Sequence, residues 1–473
     1  MAQPSTKSIP APKGTRDLYP DDLLRQRYIT EAWRRVSIRH GFDEIAGPTF
    51  EMLDLYKKKS GEGIVSELFS FRRTGGDDDY ALRPEFTPTL ARMYAAKANA
   101  LPSPCKWFTA GPYFRAEKPQ RGRLREFLQW NCDVLGGDES CSDTDIAHVL
   151  LEGVTDLGLT QENLKLNLND RRLMERIARI GKINSANFQL FLFLLDQSSK
   201  HGLDWLNEQL QRSGMSVEEI DSASKLLTAL TKHAVWSGDS GEVPFARFGL
   251  EISDYKYIID LSKGLKSRGF GRWPHLDLKI ARGLAYYTGT VFELIADGER
   301  AVAGGGRYDN LIELFGGPPT PAVGFGMGDV VLGLLLQDKG LMPEGPELMD
   351  ALSQKPASLR PEAFVIANEA GEGSVEPLLA KLRRGVESEA WLSRDDKKPW
   401  DADRYDVPPM HARRSYKSTK NIGKLLADAR KQHAKFAVII ESDEAAKIEN
   451  LGTREDLGTF PHDQVGAKIA ERL

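Results

Sequence analysis

At 473 residues the chain is longer than one hydrophobic core usually organises, so two or three domains are expected. A hydrophobic fraction of 41% with 28% charged residues excludes a disordered or fibrous protein, and a net charge of -4 means that any nucleic-acid contact must come from local basic patches. The three cysteines, Cys105, Cys132 and Cys141, form no CxxC pair, so neither a disulfide framework nor a thiolate zinc site is supported, and a reducing compartment is expected. The polar N-terminus lacks a signal-peptide core, and no apolar run reaches the roughly 18 residues that span a membrane, so a cytoplasmic protein without membrane contact is expected.

In chain order, DDLLRQRYITEAWRRVSIRH has apolar residues at helical spacing and stops at Gly41. GFDEIAGPTFE, interrupted by Gly47 and Pro48, reads as a bent strand. Strand-like segments follow at CKWFTAGPYFRAE, EFLQWNCDVLG, LDLKIARG and TGTVFELIA, which predicts a mainly antiparallel sheet. Helical periodicity from about 170 to 265 predicts a helical insertion between them. Residues 338–361, rich in Pro and Gly, read as a linker that separates 1–337 from 362–473. Beyond it, AFVIAN and KFAVIIES alternate with helical segments, which predicts a small α/β domain. RDDKKPWDADRYDVPPM reads as an inserted loop with no assigned role.

Four segments carry candidate chemistry. In FRAEKPQRGRLREFLQ (114–129), Arg115, Lys118, Arg121, Arg123 and Arg125 crowd one loop. Guanidinium groups grip phosphate oxygens in a planar, bidentate way, although on charge alone a solvated basic hairpin is the better reading. LRPEFTPTLARM offers Glu85 and Thr87, a carboxylate and a neutral acceptor suited to an ammonium, with Gln129 as a further acceptor. ARGLAYYTGTVFE holds Arg282, Tyr286 and Tyr287, and Gly304-Gly305-Gly306 follows, where backbone can approach a ligand closely. Residues 410–436 carry eight basic side chains, Arg413, Arg414, Lys417, Lys420, Lys424, Arg430, Lys431 and Lys435, against the single acid Asp428, a composition suited to phosphates.

Taken together these segments resemble the histidine-tRNA ligases, a family of class II aminoacyl-tRNA synthetases, over nearly the whole length. The resemblance implies an α+β fold: an antiparallel-sheet catalytic domain with a helical insertion, and a C-terminal α/β anticodon-binding-like domain. It implies activation of L-histidine with ATP and Mg2+, transfer to the 3′ end of the histidine tRNA, and a homodimer whose interface includes the Pro48 segment. On the matching positions, Arg115 would hold the α-phosphate, Glu117 the adenine and Arg123 the nucleotide phosphates. Glu85, Thr87 and Gln129 would take the substrate's α-amino group, Asp133, Tyr286 and Tyr287 would surround the imidazole, and Arg282 would stabilise charge on the α-phosphate. No metal ligands are assigned. The chain departs from the family pattern at Ala285, where the signature has aspartate, at Asp133, often glutamate, and at Val331, where an arginine ordinarily clamps the γ-phosphate; Arg123 and Arg307 are candidate replacements. That last departure keeps open an alternative, a non-catalytic paralogue similar to the regulatory subunit of ATP phosphoribosyltransferase.

Overall fold

The structure, a computed structural model, describes residues 9–233, 235–237, 249–280, 287–296, 301–352, 357–358, 360–368, 371–417 and 419–473. Helix α1 (Pro20–Arg39) begins with proline, carries Asp21 and Asp22 in its first turn and ends on Arg39, so both ends suit the helix dipole. It leads into β1 (Asp43–Glu44) and a small sheet of β2 (Phe50–Met52), β3 (Ser70–Arg72) and β4 (Asp79–Leu82), with α2 (Leu53–Ser60) between β2 and β3 and α3 (Thr87–Ala95) after β4. A long hairpin follows, β5 (Cys105–Phe114) and β6 (Glu126–Leu135), in unbroken register from Cys105 opposite Leu135 to Phe114 opposite Glu126. After α4 (Glu139–Thr155) and β7 (Lys165–Asp170) come the helices of the insertion, α5 (Arg171–Ile180), α6 (Phe188–Gln211), α7 (Val217–His233) and α8 (Lys256–Ser267), with β8 (Val235–Ser237) among them. The sheet resumes with β9 (Pro274–Asp277), β10 (Thr290–Ile295), β11 (Ala301–Arg307) and, past α9 (Leu311–Leu314), β12 (Ala322–Gly328), which runs into α10 (Asp329–Asp338).

These strands form one sheet in the order β1-β5-β6-β12-β11-β10-β7-β9-β8, parallel at β1–β5 and β7–β9 and antiparallel elsewhere. One face is closed by helices. Tyr28, Ile29, Ala32, Trp33 and Val36 of α1 are buried there, and Trp33 stacks on Trp130 of β6 with ring centroids 5.9 Å apart. Helix α4 is buried along most of its length, with Asp138 capping its first turn through the Cys141 amide.

The later chain continues through α11 (Gly345–Leu352), β13 (Ala363–Ala367), α12 (Glu372–Arg384), β14 (Val386–Glu387), α13 (Glu389–Leu392), β15 (Tyr405–Val407), β16 (Ala412–Arg414), α14 (Ile422–Lys431), β17 (Phe436–Ile440), β18 (Ala445–Asn450), β19 (Asp456–Pro461) and α15 (Val465–Ala470). Its second sheet runs β16-β13-β17-β18-β19, with β13 parallel to both neighbours and the last two pairings antiparallel.

Two segments differ from their sequence reading. The Pro- and Gly-rich stretch 338–361 contains α11, because Leu348 and Ala351, three residues apart on one helical face, are both buried. The stretch 394–410 packs inward: Trp400 sits edge-on to Tyr28 of α1 at 6.1 Å, and the Trp391 indole donates to Asp401 at 2.9 Å. A tryptophan among charges supplied enough apolar area to fold the segment back.

Candidate active site

The uncovered face of the large sheet is the floor of a cleft of about 1590 Å³. Alternation along a strand puts every second side chain on that face. On β12 those positions are Gly324, Gly326 and Gly328, while Val323, Phe325 and Met327 point into the core. Gly304 and Gly306 of β11 lie opposite Gly326 and Gly324. The bare backbone makes room for the side chains of β6. A Cβ on Gly324 would lie 1.9 Å from Asp133 Oδ1, one on Gly326 2.4 Å from Gln129 Nε2, and one on Gly306 3.0 Å from the Tyr287 ring. The glycines therefore let Asp133, Gln129 and Tyr287 lie flat across the sheet.

Glu85, Thr87, Arg115, Glu117, Arg123, Gln129, Asp133 and Tyr287 all line this one cleft. Arg282, Tyr286 and Ala285 lie outside the described residues. Arg115 follows β5; its amide donates to the Arg125 carbonyl at 2.9 Å, its Nε to the Pro84 carbonyl at 3.2 Å, and its guanidinium lies 5.2 Å from the centre of the Phe127 ring. Glu117 and Arg123 face each other at 2.5 Å. The other cations of this loop do different work. Arg125 fastens the N-terminal segment, donating from its amide to the Gly14 carbonyl at 2.8 Å, and the exposed Arg121 pairs with Asp338 at 3.2 Å.

Strand geometry also corrects one candidate. Arg307 follows Gly306 on β11 and so points through the opposite face, where it is buried against Asp143 at 2.5 Å and Asp309 at 2.9 Å. It does not line the cleft and cannot take the place of the arginine missing at Val331. Val331 does line it, and Gly122 of the 115–125 loop packs on it, with room for a Cβ only 3.2 Å away. Asp329 at the start of α10 ties that corner together, accepting from Arg16 at 2.7 Å, Gln26 at 3.1 Å and the Leu128 amide at 2.9 Å.

Among the residues of the cleft that sequence reasoning does not single out as site residues are Lys59, Asn131, Glu293 and Tyr308. Asn131 was legible in principle, since it is the period-two neighbour of Gln129 and Asp133; Gln129 donates to it at 3.0 Å. Lys59 reaches Glu85 from α2 at 2.6 Å. The Tyr308 hydroxyl donates to Asp133 Oδ1.

Burial raises the Asp133 carboxyl to about 7, while the Tyr308 hydrogen bond and the Lys59 charge hold it lower than burial alone would. An unfolded aspartate titrates near 4, so between about 4 and about 7 the folded chain keeps a proton that the unfolded chain has lost. This group's contribution to stability therefore falls as pH rises through that window. Removing the Tyr308 donor in Tyr308→Phe is expected to raise the Asp133 pKa further. The acidic limb of any binding that needs the carboxylate should then move to higher pH, as measured by ligand titration between pH 5.5 and 8.5; an unmoved limb would show that Tyr308 does not tune Asp133.

The basic segment 410–436 is largely paired within the chain. Arg413 meets Asp43 at 2.8 Å, Arg414 meets Glu376 at 2.9 Å, Lys417 meets Asp428 at 3.2 Å and Lys420 meets Glu372 at 2.9 Å. Lys424, Arg430 and Lys431 are exposed on α14, with Arg430 meeting Glu449 at 2.9 Å.

Residues 14–328 match the profile of the family described as Histidyl-tRNA synthetase. A relative from Opitutus terrae named histidine-tRNA ligase is 39% identical over 336 residues, covering 70% of this chain and 75% of the relative. The fold is similar to the crystal structure of histidyl-tRNA synthetase from a Nostoc species, with a TM-score of 0.57 and 20% identity over 99% of this chain and 100% of that one. It is also similar to a Bacillus halodurans structure titled as an ATP phosphoribosyltransferase regulatory subunit/histidyl-tRNA synthetase, with a TM-score of 0.59 and 18% identity over 93% and 99% of the two chains.

Proposed function

The chain belongs to the histidyl-tRNA synthetase family, and on that premise we propose that its glycine-floored cleft is where histidine is joined to ATP and then passed to the 3′ end of tRNA. The observation that carries the reading is the convergence of Glu85, Thr87, Arg115, Gln129, Asp133 and Tyr287 on one cleft. The regulatory-subunit alternative is not favoured: fold similarity is shared by both kinds of protein, whereas the sequence relatives carry the ligase name.

Glu85, Thr87 and Gln129 take the α-ammonium, which puts the histidine carboxylate towards Arg115. Asp133 accepts the proton of one imidazole nitrogen and the Tyr287 hydroxyl donates to the other, so both nitrogens are satisfied as an apolar pocket could not do. Arg115 offers a fixed cation to the α-phosphate as negative charge builds there during attack by the carboxylate. Arg123, beside Glu117, is the loop cation placed for the outer phosphates, in the absence of an arginine at Val331. No enzyme nucleophile is needed, because orientation and charge account for the step. Magnesium takes hard oxygen donors, and the Glu293 carboxylate of the cleft together with nucleotide phosphates fits that donor set; bound there it would offset polyphosphate charge. Arg282 and Tyr286 complete the site by the family resemblance alone.

The unit from 362 to 473 would contact tRNA through Lys424, Arg430 and Lys431. The free thiols fit a cytoplasmic protein, and among the described residues no helix is long and apolar enough to cross a membrane. For the homodimer, the small sheet beside Pro48 offers an apolar face: Phe50, Met52 and Phe71 are about half exposed, and Phe50, Phe71 and Tyr80 form a ring cluster with centroids 5.7–6.0 Å apart. Phe71→Glu is expected to turn a dimer into a monomer in sedimentation velocity, and a dimer that survives it would sink this assignment. The function is tested by histidine-dependent ATP–pyrophosphate exchange with the purified protein. Absence of exchange in a folded, dimeric preparation would overturn the ligase reading.

A further inference from the structure

Histidine is an unusual amino acid to recognise because its side chain is neutral or cationic within the physiological pH range, so a binding pocket has to settle which form it takes. The charges at the amino-acid end of the cleft bear on this. Glu85 and Asp133 are both carboxylates, and Glu85 is already held by the Lys59 ammonium at 2.6 Å; the Lys59 side chain is only 10% exposed. A primary ammonium on Glu85 has the chemistry of the substrate's own α-ammonium. Lys59 thus keeps Glu85 pre-oriented and charge-balanced in the open cleft, with the second carboxylate oxygen available to a ligand.

We propose that Lys59 is a positioning residue that leaves Glu85 and an ionised Asp133 with a single net negative charge between them, so that the site accepts histidine with a neutral imidazole. The proposal rests on the reading of the cleft as a histidine site. With Lys59 in place, the α-ammonium of the ligand balances the remaining charge, and its carboxylate is met separately by Arg115. Without Lys59, two carboxylates would face the ligand and favour the imidazolium form. Lys59 from α2, Tyr113 of β5, Tyr287 and Tyr308 face Asp133; Tyr56, Tyr113 and Tyr287 face Glu85, Glu293 of β10 faces Tyr287, and the Arg83 guanidinium lies 4.8 Å from the centre of the Tyr113 ring. Of the two cations, Lys59 is the one that acts on Asp133. Its charge lowers the Asp133 pKa, which is the direction required for Asp133 to act as a carboxylate acceptor near neutral pH.

The test is histidine binding to the full chain by calorimetry at pH 6 and pH 8, which needs no catalysis and so reports on Lys59 even if the ligase reading fails in the exchange assay. In Lys59→Met the ratio of Kd at pH 8 to Kd at pH 6 is expected to rise about tenfold or more, the equivalent of one pKa unit or more in preference for the cationic form. Lys59→Arg, which keeps the charge, should retain the ratio of the unmodified protein. Equal weakening at both pH values would mean that Lys59 only supports the structure and would overturn the proposal, as would unchanged binding. Should Lys59→Met melt early, Lys59→Gln carries the same expectation.

Discussion

Replacing Arg115 with alanine is expected to lower histidine-dependent ATP–pyrophosphate exchange about 10²–10³-fold, the usual cost of removing one preorganised donor from developing charge. The loss should fall on kcat, because the interaction matters most while charge accumulates on the α-phosphate. The structure shows why the guanidinium is fixed in place. Its amide is locked across the hairpin neck to the Arg125 carbonyl at 2.9 Å, its Nε is held by the Pro84 carbonyl at 3.2 Å, and the Phe127 ring supports it at 5.2 Å. Lysine at the same position keeps the charge but not the planar fork, so Arg115→Lys should recover only part of the loss. Full activity in Arg115→Ala would mean that another cation meets the α-phosphate.

Gly324→Ala is the second large effect expected, and it acts without touching a charged residue. The new methyl would lie 1.9 Å from Asp133 Oδ1 and 2.9 Å from the Cys132 carbonyl oxygen. The carboxylate has to swing away, leaving Tyr308 and one imidazole nitrogen without their acceptor. A site built to hydrogen-bond its substrate loses discrimination on the order of 10²–10⁴-fold in kcat/KM when that bond is broken. Gly324 lies in a strand interior and has no positive φ, so alanine asks for no forbidden backbone angle, but its methyl also presses on the Cys132 carbonyl and β12 has to shift slightly from β6. The expected signature is therefore a raised histidine KM together with a lowered melting temperature. An unchanged histidine KM would show that the flat placement of Asp133 on the sheet is dispensable.

The amino-acid sequence by itself determined much of this protein. Alternating apolar residues in CKWFTAGPYFRAE and EFLQWNCDVLG specify the β5–β6 hairpin, because local pattern and strand pairing agree there. The residue types around Arg115, Glu85 and Tyr287 identified the family. The tertiary structure decided what local pattern cannot encode. Arg307 stands next to Gly306 in the chain, yet strand alternation sends it to the buried face against Asp143 and removes it from the cleft. Most of the basic segment 410–436 is neutralised by acids distant in sequence, such as Asp43 and Glu372, and such pairs exist only after folding. Lys59 is one of three consecutive lysines on α2, and it is the packing of α2 beside Glu85, 26 residues away, that pairs the two. Residue type and period are written locally, whereas the partner of a charge, and so the chemistry it performs, depends on which strands and helices become neighbours.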